Sequence, residues 1–151
     1  MRKVISSTFI TLDGLMVGPN KEMDWVLDNF DAERRKDIGD QLSKTGAILL
    51  GRVTYEIMAN YWPTATMEDP IITDKMNNLP KIIFSRTLEK VVDWKNSMLV
   101  KENIAGEISQ LKQQPGKDMV ILRSAKVNGR DSEKNWLDLG VDYASSLPKK
   151  R

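Results

Sequence analysis

A phosphate-binding junction is predicted where an apolar segment meets the start of a helix. Residues 47–50 are apolar, and Gly51, Arg52 and Thr54 follow them as an amphipathic pattern begins. The first turn of a helix carries backbone N–H groups that have no partner inside the helix. Gly51 lets an anion approach the main chain, Arg52 adds a positive charge and Thr54 adds a hydroxyl donor. These three residues therefore predict a site for a phosphate.

A second polar group follows the next apolar segment. Ser85, Arg86 and Thr87 come directly after residues 81–84, which have the composition of a strand. Because a guanidinium can hold a phosphate with two parallel hydrogen bonds, both segments suit a phosphorylated ligand. The alternative is structural: Arg52 pairs with acidic groups on the surface, and the second group forms an ordinary turn.

Strand-like and helix-like segments alternate along the chain and must position these residues. Short β-branched or apolar runs predict strands, and apolar residues at helical spacing predict helices. The Asp31 carboxylate is expected to cap the first of these helices, Gly46 to end it, and Pro63 to end the second. The predicted strands are 4–11, 47–50, 81–84, 91–92, 98–100 and 119–122, and the predicted helices are 32–44, 53–62, 70–77 and 104–111.

This alternation predicts a single-domain α/β fold with a mainly parallel sheet and flanking helices. Continuous apolar strands are typical of sheets that helices cover on both faces. In such sheets ligands bind at the carboxyl ends of the strands, and Gly51, Ser85 and Arg123 all fall at such ends.

Composition excludes several classes of chemistry. The chain has 151 residues, of which 40% are apolar, and this is enough for one core. It has no cysteine and no histidine, so serine–histidine hydrolysis, thiolate chemistry and histidine-ligated metal sites are excluded, and no metal is expected. The net charge of +2 arises largely from the terminal Lys149-Lys150-Arg151, which argues against nucleic-acid binding. No apolar run is long enough for a membrane span and no signal segment is evident, so we expect a cytoplasmic protein.

Four motifs in this order resemble the dihydrofolate-reductase-like superfamily. The motifs are STFITLDG at 7–14, LGRVTYE at 50–56, YWP at 61–63 and PKIIFSRTL at 80–88. The similarity is greatest to bacterial proteins related to the reductase domain of the riboflavin-biosynthesis deaminase-reductase. It covers about the first 122 residues.

The resemblance implies an NADPH-dependent reductase that transfers hydride to a small heterocyclic substrate, such as a pterin or a pyrimidinone. In that family the position of Gly51, Arg52 and Thr54 lies against the cofactor phosphates. The loop that corresponds to Ser85, Arg86 and Thr87 binds the adenosine end and its 2′-phosphate. No covalent catalyst is required, because the cofactor supplies the reactive hydride.

Three residues are candidates for the substrate side of the site. The Asp13 carboxylate could hold a ring nitrogen or supply a proton through water, although Asp-Gly is also a common hairpin turn. Trp25 and Tyr55 could form aromatic walls for a flat heterocycle, and the alternative for both is core packing.

The C-terminal part departs from the family pattern. The family has a glycine-rich turn after the strand at 119–122, followed by a helix and further strands, whereas this chain continues with Arg123-Ser124-Ala125-Lys126. Permissive codons for residues 141–147, read one base later, give Leu-Ile-Met-His-Pro-Val, which resembles a family strand. We therefore expect a reductase domain at 1–122 whose C-terminal strands are lacking or replaced, and an atypical, frameshifted tail at 123–151.

The altered end leaves two alternatives to a reductase. One is a catalytically silent scaffold with residual nucleotide binding. The other is an oligomer-forming module, such as a homodimer, that uses the uncovered edge of the sheet.

Overall fold

The structure, a computed structural model, describes residues 1–10, 12, 30–66 and 69–122. Within them lies a five-stranded sheet in the order β1-β5-β2-β3-β4, and every neighbouring pair is parallel. The strands are β1 (Val4–Ser7), β2 (Thr45–Gly51), β3 (Lys81–Phe84), β4 (Ser97–Val100) and β5 (Asp118–Leu122). The predicted α/β class with a parallel sheet is confirmed.

The described parts of the connections between these strands contain four helices. They are α1 (Ala32–Ser43), α2 (Arg52–Tyr61), α3 (Pro70–Asn78) and α4 (Ile104–Gln113), and a short 3-10 turn (Trp62–Thr64) follows α2. All four helices are those predicted from the apolar spacing. Pro63 lies in the 3-10 turn, where the α-helical pattern ends as expected.

The core has two parts because side chains alternate between the two faces of the sheet. Ile48 and Leu50 of β2 face one side, where side chains of α1, α2 and α3 pack against them. Ala47 and Leu49 face the other side, which α4 covers. Ile48, Leu49 and Leu50 have no exposed surface, so β2 is the central buried strand.

The start of α1 is as predicted, but its end is not. The Asp31 carboxylate accepts a hydrogen bond of 2.8 Å from the Arg34 backbone N–H, which is an N-cap. The prediction that Gly46 ends the helix is wrong, because Lys44 is the C-cap and Gly46 lies inside β2. A Cβ atom at Gly46 would lie 2.8 Å from the Lys117 carbonyl oxygen, so glycine permits the close approach of two chain segments there.

The predicted strand at 91–92 is also wrong. Residues 85–96 connect β3 to β4 without a helix or a strand. The Val92 backbone bonds to a tyrosine hydroxyl instead of to a neighbouring strand. A turn at 95–96 precedes β4, and Asn96 has a positive φ of 61° in it.

The first strand is shorter than the predicted 4–11. It ends at Ser7, which is paired with Leu122 at the end of β5. At the same edge of the sheet Gly51 is paired with Phe84. The carboxyl ends of β1, β5, β2 and β3 therefore meet along one line, and the predicted phosphate-binding residues follow two of them.

Candidate functional site

The amino end of α2 has no acidic residue in its cap or first turn. Gly51 is the N-cap in an extended conformation, with φ −82° and ψ 162°, and provides no side-chain cap. By contrast, α1 and α3 are capped by Asp31 and Asp69, and α4 has Glu107 in its first turn. The positive end of the α2 dipole is therefore not matched by a negative side chain of the cap or first turn.

Arg52 occupies the first position of α2 and is half-exposed. Its Nη1 lies 3.1 Å and 3.3 Å from the two carboxylate oxygens of Glu56, one turn along the helix. This is the surface ion pair that the structural alternative described. Both side chains retain more than 40% of their exposure, and such pairs contribute at most about 1 kcal/mol to stability. A phosphate at the helix start could therefore compete for the guanidinium at little cost.

Thr54 and Tyr55 lie in the first turns of α2 but are buried. Thr54 is 7% exposed, so its side chain lies beneath the surface of the helix. Tyr55 is 1% exposed, and its ring stacks on Trp94 with centroids 6.1 Å apart. Its hydroxyl is bonded to the backbone of Val92. The structure thus corrects the expectation of an aromatic wall at Tyr55, because the ring packs in the core with no open face for a substrate.

Burial also changes the acidity of the Tyr55 hydroxyl. Desolvation raises its pKa above 10.0, the bond to the Val92 backbone opposes this, and the charge of Asp93 adds to the increase. The hydroxyl therefore stays protonated at neutral pH, and it acts as both a donor and an acceptor toward the backbone.

Ser85 organises the loop at the end of β3. Its Oγ accepts hydrogen bonds from the backbone N–H groups of Thr87 (3.2 Å) and Leu88 (3.0 Å), and the residue is 9% exposed. This is a serine turn, which fixes the local chain direction. Arg86 and Thr87 are exposed at the tip of the turn. Ser85 thus lies inside the loop, whereas Arg86 and Thr87 are exposed to solvent. The loop follows β3, the strand next to the one that ends at Gly51.

A groove of about 390 Å³ lies between the segment after β1 and the amino-terminal half of α1. The Phe9 ring lies under the Arg34 guanidinium, with the Cζ atom 5.2 Å from the ring centroid. The carboxylates of Asp31, Glu33 and Asp37 also line the groove. It combines one aromatic surface with charged groups of both signs. This groove was not predicted from the sequence, and the acidic residues in the first turns of α1 are the signal that could have indicated it.

The remaining candidates lie outside the described residues. These are Asp13 and Trp25 on the substrate side, and Arg123 after β5. The expected tail at 123–151 lies outside them as well.

The described ranges contain no group of three or more acidic, histidine or cysteine residues placed to hold a metal ion. Over the same residues, none of the helices has the length and hydropathy needed to cross a membrane.

The chain is similar in sequence or in fold to several known proteins. The model of the RibD C-terminal domain family matches residues 2–141. The Bacillus subtilis (strain 168) protein YyaP, which is described as uncharacterized, is 30% identical over 130 residues, covering 83% of this chain and 65% of YyaP. A crystal structure from Shewanella sp. PV-4, of a protein provisionally assigned to riboflavin biosynthesis, superimposes with a TM-score of 0.55 at 17% identity, covering 82% of this chain and 65% of that one.

These matches confirm the resemblance and the fold. The chain spans slightly less than two thirds of the length of either relative. The family match extends beyond β5 into the segment from 123 to 141.

Proposed function

Because the chain belongs to the RibD C-terminal domain family, we propose that it is an NADPH-dependent reductase that transfers hydride to a small heterocyclic acceptor of the pterin or pyrimidinone type. The observation that carries this proposal is the amino end of α2, where the backbone N–H groups of the first turn and the Arg52 guanidinium lie together without an acidic residue in the cap or the first turn. Such a position suits the pyrophosphate of a dinucleotide. The serine turn at Ser85 lies one strand away, where the adenosine end of the same ligand would reach.

In this proposal each residue at this edge of the sheet has a separate role. Gly51 offers its backbone and Arg52 its charge to the pyrophosphate, and Thr54 supports the first turn from beneath. Arg86 and Thr87 bind the 2′-phosphate, and Ser85 holds the turn that presents them. NADPH supplies the hydride when it is bound. The protein binds, orients and excludes water from the reacting groups.

The acceptor would lie in the groove beside α1. The Phe9 ring offers a surface on which a flat heterocycle can stack, and the carboxylates of Asp31, Glu33 and Asp37 can accept hydrogen bonds from ring N–H or amino groups. Asp13 is proposed to orient or protonate the substrate.

Titration calorimetry tests the cofactor site. The wild-type protein should bind NADPH in preference to NADH, and Arg52→Gln should weaken NADPH binding roughly 10- to 100-fold, because a hydrogen bond to a charged group contributes about 1.5–3 kcal/mol. Arg86→Gln should reduce the preference for NADPH by weakening the contact with the 2′-phosphate.

Lys75→Gln is the matched control. Lys75 is also a partly exposed cation in a surface ion pair, with Asp74 at 3.5 Å, but it lies in the last turn of α3, near the opposite edge of the sheet. It should bind NADPH like the wild type. Equal losses in Lys75→Gln and Arg52→Gln would indicate a general charge effect and contradict the assigned site. Saturable binding without NADPH oxidation by any pterin or pyrimidinone would favour the silent scaffold.

A further inference from the structure

We propose that Tyr55 is a positioning residue that fixes the distance between the two halves of the dinucleotide site. It does so by holding the connection at 85–96, which carries the loop for the adenosine end, against the helix that carries the pyrophosphate site. The inference rests on the proposed function, but its evidence is a contact within the protein itself.

The contact is a two-way hydrogen bond between a side chain and one backbone residue. The Tyr55 hydroxyl donates to the Val92 carbonyl oxygen (3.2 Å) and accepts from the Val92 N–H (2.7 Å). Val92 lies 37 positions away in sequence, and its own side chain is 54% exposed, so the backbone and not the side chain is held. Tyr55 lies three positions after Arg52, in the first turns of α2.

The connection needs such a partner because it has no regular structure of its own. Residues 85–96 run from the carboxyl end of β3 to the amino end of β4 without a helix or a strand. At its two ends the connection still bonds to neighbouring strands: the Ser85 N–H donates to the Val100 carbonyl oxygen (3.1 Å), and the Asn96 carbonyl oxygen accepts from the Lys81 N–H (2.8 Å). Between these ends, each buried backbone group needs another partner. The Tyr55 hydroxyl bonds to both backbone groups of Val92, whose carbonyl oxygen also accepts from the Trp94 N–H at 2.7 Å.

Both ends of the connection are anchored independently. At the near end, Ser85 Oγ closes the turn through Leu88. At the far end, Trp94 is 2% exposed, and its Nε1 donates to the Asn77 side-chain oxygen at 3.0 Å. The Tyr55 bond lies between the two anchors. It is therefore placed to determine how the middle of the connection sits relative to α2.

We therefore expect loss of this hydrogen bond to weaken the binding of a ligand that spans both loops. The binding of a fragment that occupies only one loop should not change. A fragment that occupies one loop requires only the local structure of that loop. A dinucleotide requires both loops at a fixed separation, and a preorganised separation increases its affinity without any new contact. Loss of the Tyr55 hydroxyl should remove only the part of the affinity that comes from this preorganised separation.

The experiment compares three ligands on three proteins by titration calorimetry. The ligands are NADPH, adenosine 2′,5′-bisphosphate and reduced nicotinamide mononucleotide. The proteins are the wild type, Tyr55→Phe, which keeps the ring stacked on Trp94, and Thr64→Val, which removes an exposed hydroxyl from the turn that follows the same helix. Tyr55→Phe should bind NADPH about tenfold more weakly and bind each fragment within about twofold of the wild type. Thr64→Val should bind all three ligands like the wild type.

Amide hydrogen exchange at Val92 provides the readout that does not depend on the ligand. Exchange should accelerate in Tyr55→Phe, because the N–H loses its acceptor, and should not change in Thr64→Val. Loss of fragment affinity together with NADPH affinity would overturn the inference in favour of general destabilisation. Unchanged NADPH affinity with faster Val92 exchange would also overturn it. Failure of the wild type to bind NADPH would instead reject the proposed function.

Discussion

Protein stability should rise with pH between 7 and 9.5 because of one buried lysine. Lys81 begins β3 and has no exposed surface. Its Nζ donates to the carbonyl oxygens of Asn77 (2.9 Å), Leu79 (2.8 Å) and Lys95 (2.7 Å), and it lies 4.7 Å from the centroid of the Trp94 ring. These contacts join the end of α3 to the turn before β4.

Burial lowers the pKa of Lys81 from 10.5 to about 8, and the charge of Lys95 contributes to the same decrease. The unfolded chain keeps the lysine proton up to its ordinary pKa, whereas the folded protein releases it near pH 8. The unfolded state therefore binds more protons between these two values, and the free energy of unfolding increases as the pH rises. The full shift corresponds to about 3 kcal/mol, of which about 2 kcal/mol should appear between pH 7 and 9.5.

Urea denaturation at several pH values, followed by tryptophan fluorescence, measures this change. The upper limit of pH 9.5 avoids Tyr55, whose raised pKa should reduce stability only above about pH 10. Lys81→Met removes the titrating group, so its stability should vary less with pH than that of the wild type by about 2 kcal/mol over the same range. Parallel pH profiles for the two proteins would refute the assignment, whatever their difference at pH 7.

Two further predictions concern the backbone and the gene. Gly46→Ala should lower the free energy of unfolding by about 2 kcal/mol in urea, because its Cβ would lie 2.8 Å from the Lys117 carbonyl oxygen. Gly39→Ala, in the middle of α1, is the control and should raise it by about 0.5–1 kcal/mol, since its Cβ would make an ordinary 3.6 Å contact with Ile71; losses in both variants would contradict this reasoning. Sequencing the gene should reveal a frameshift somewhere after codon 122, such that codons 141–147 in the shifted frame continue the family pattern, and its absence would reject the frameshift hypothesis.

The elements that the sequence predicted well are those with a local signal. Asp31 and Pro70 mark helix starts through capping and a fixed φ, and both signals act within one turn of the chain. The strand at 81–84 is recognisable because both of its faces are buried, which leaves a continuous apolar run after the lysine. Such signals need no knowledge of the rest of the fold.

The failures depend on contacts between distant residues. Gly46 has the local appearance of a helix stop, but its function is to let β2 approach Lys117. The β-branched pair Val91-Val92 has strand propensity, yet its backbone is held by a tyrosine on another element. Periodicity along the chain carries no information about either partner.

For the candidate site too, the features with a local signal were predicted and those that depend on distant contacts were not. The sequence predicts the two segments proposed to flank it, because strand ends followed by glycine, arginine and hydroxyl residues are visible locally. It did not indicate which side chains are committed to the protein itself. Ser85 uses its Oγ to close a turn, and Tyr55 uses its hydroxyl to hold the backbone of Val92. Both polar groups are thereby engaged before any ligand arrives.

This commitment bears on the proposed phosphate site. Because the hydroxyls of Ser85 and Tyr55 are engaged and Thr54 is buried, phosphate recognition in the proposal would rely on the backbone N–H groups at the start of α2 and on the Arg52 guanidinium. The backbone donors are fixed by α2, whereas Arg52 must first leave an exposed ion pair that contributes little to stability. Affinity should therefore depend on how well the two loops are held in place as much as on the charges they carry. That dependence is why a buried hydroxyl with no ligand contact is expected to matter for binding.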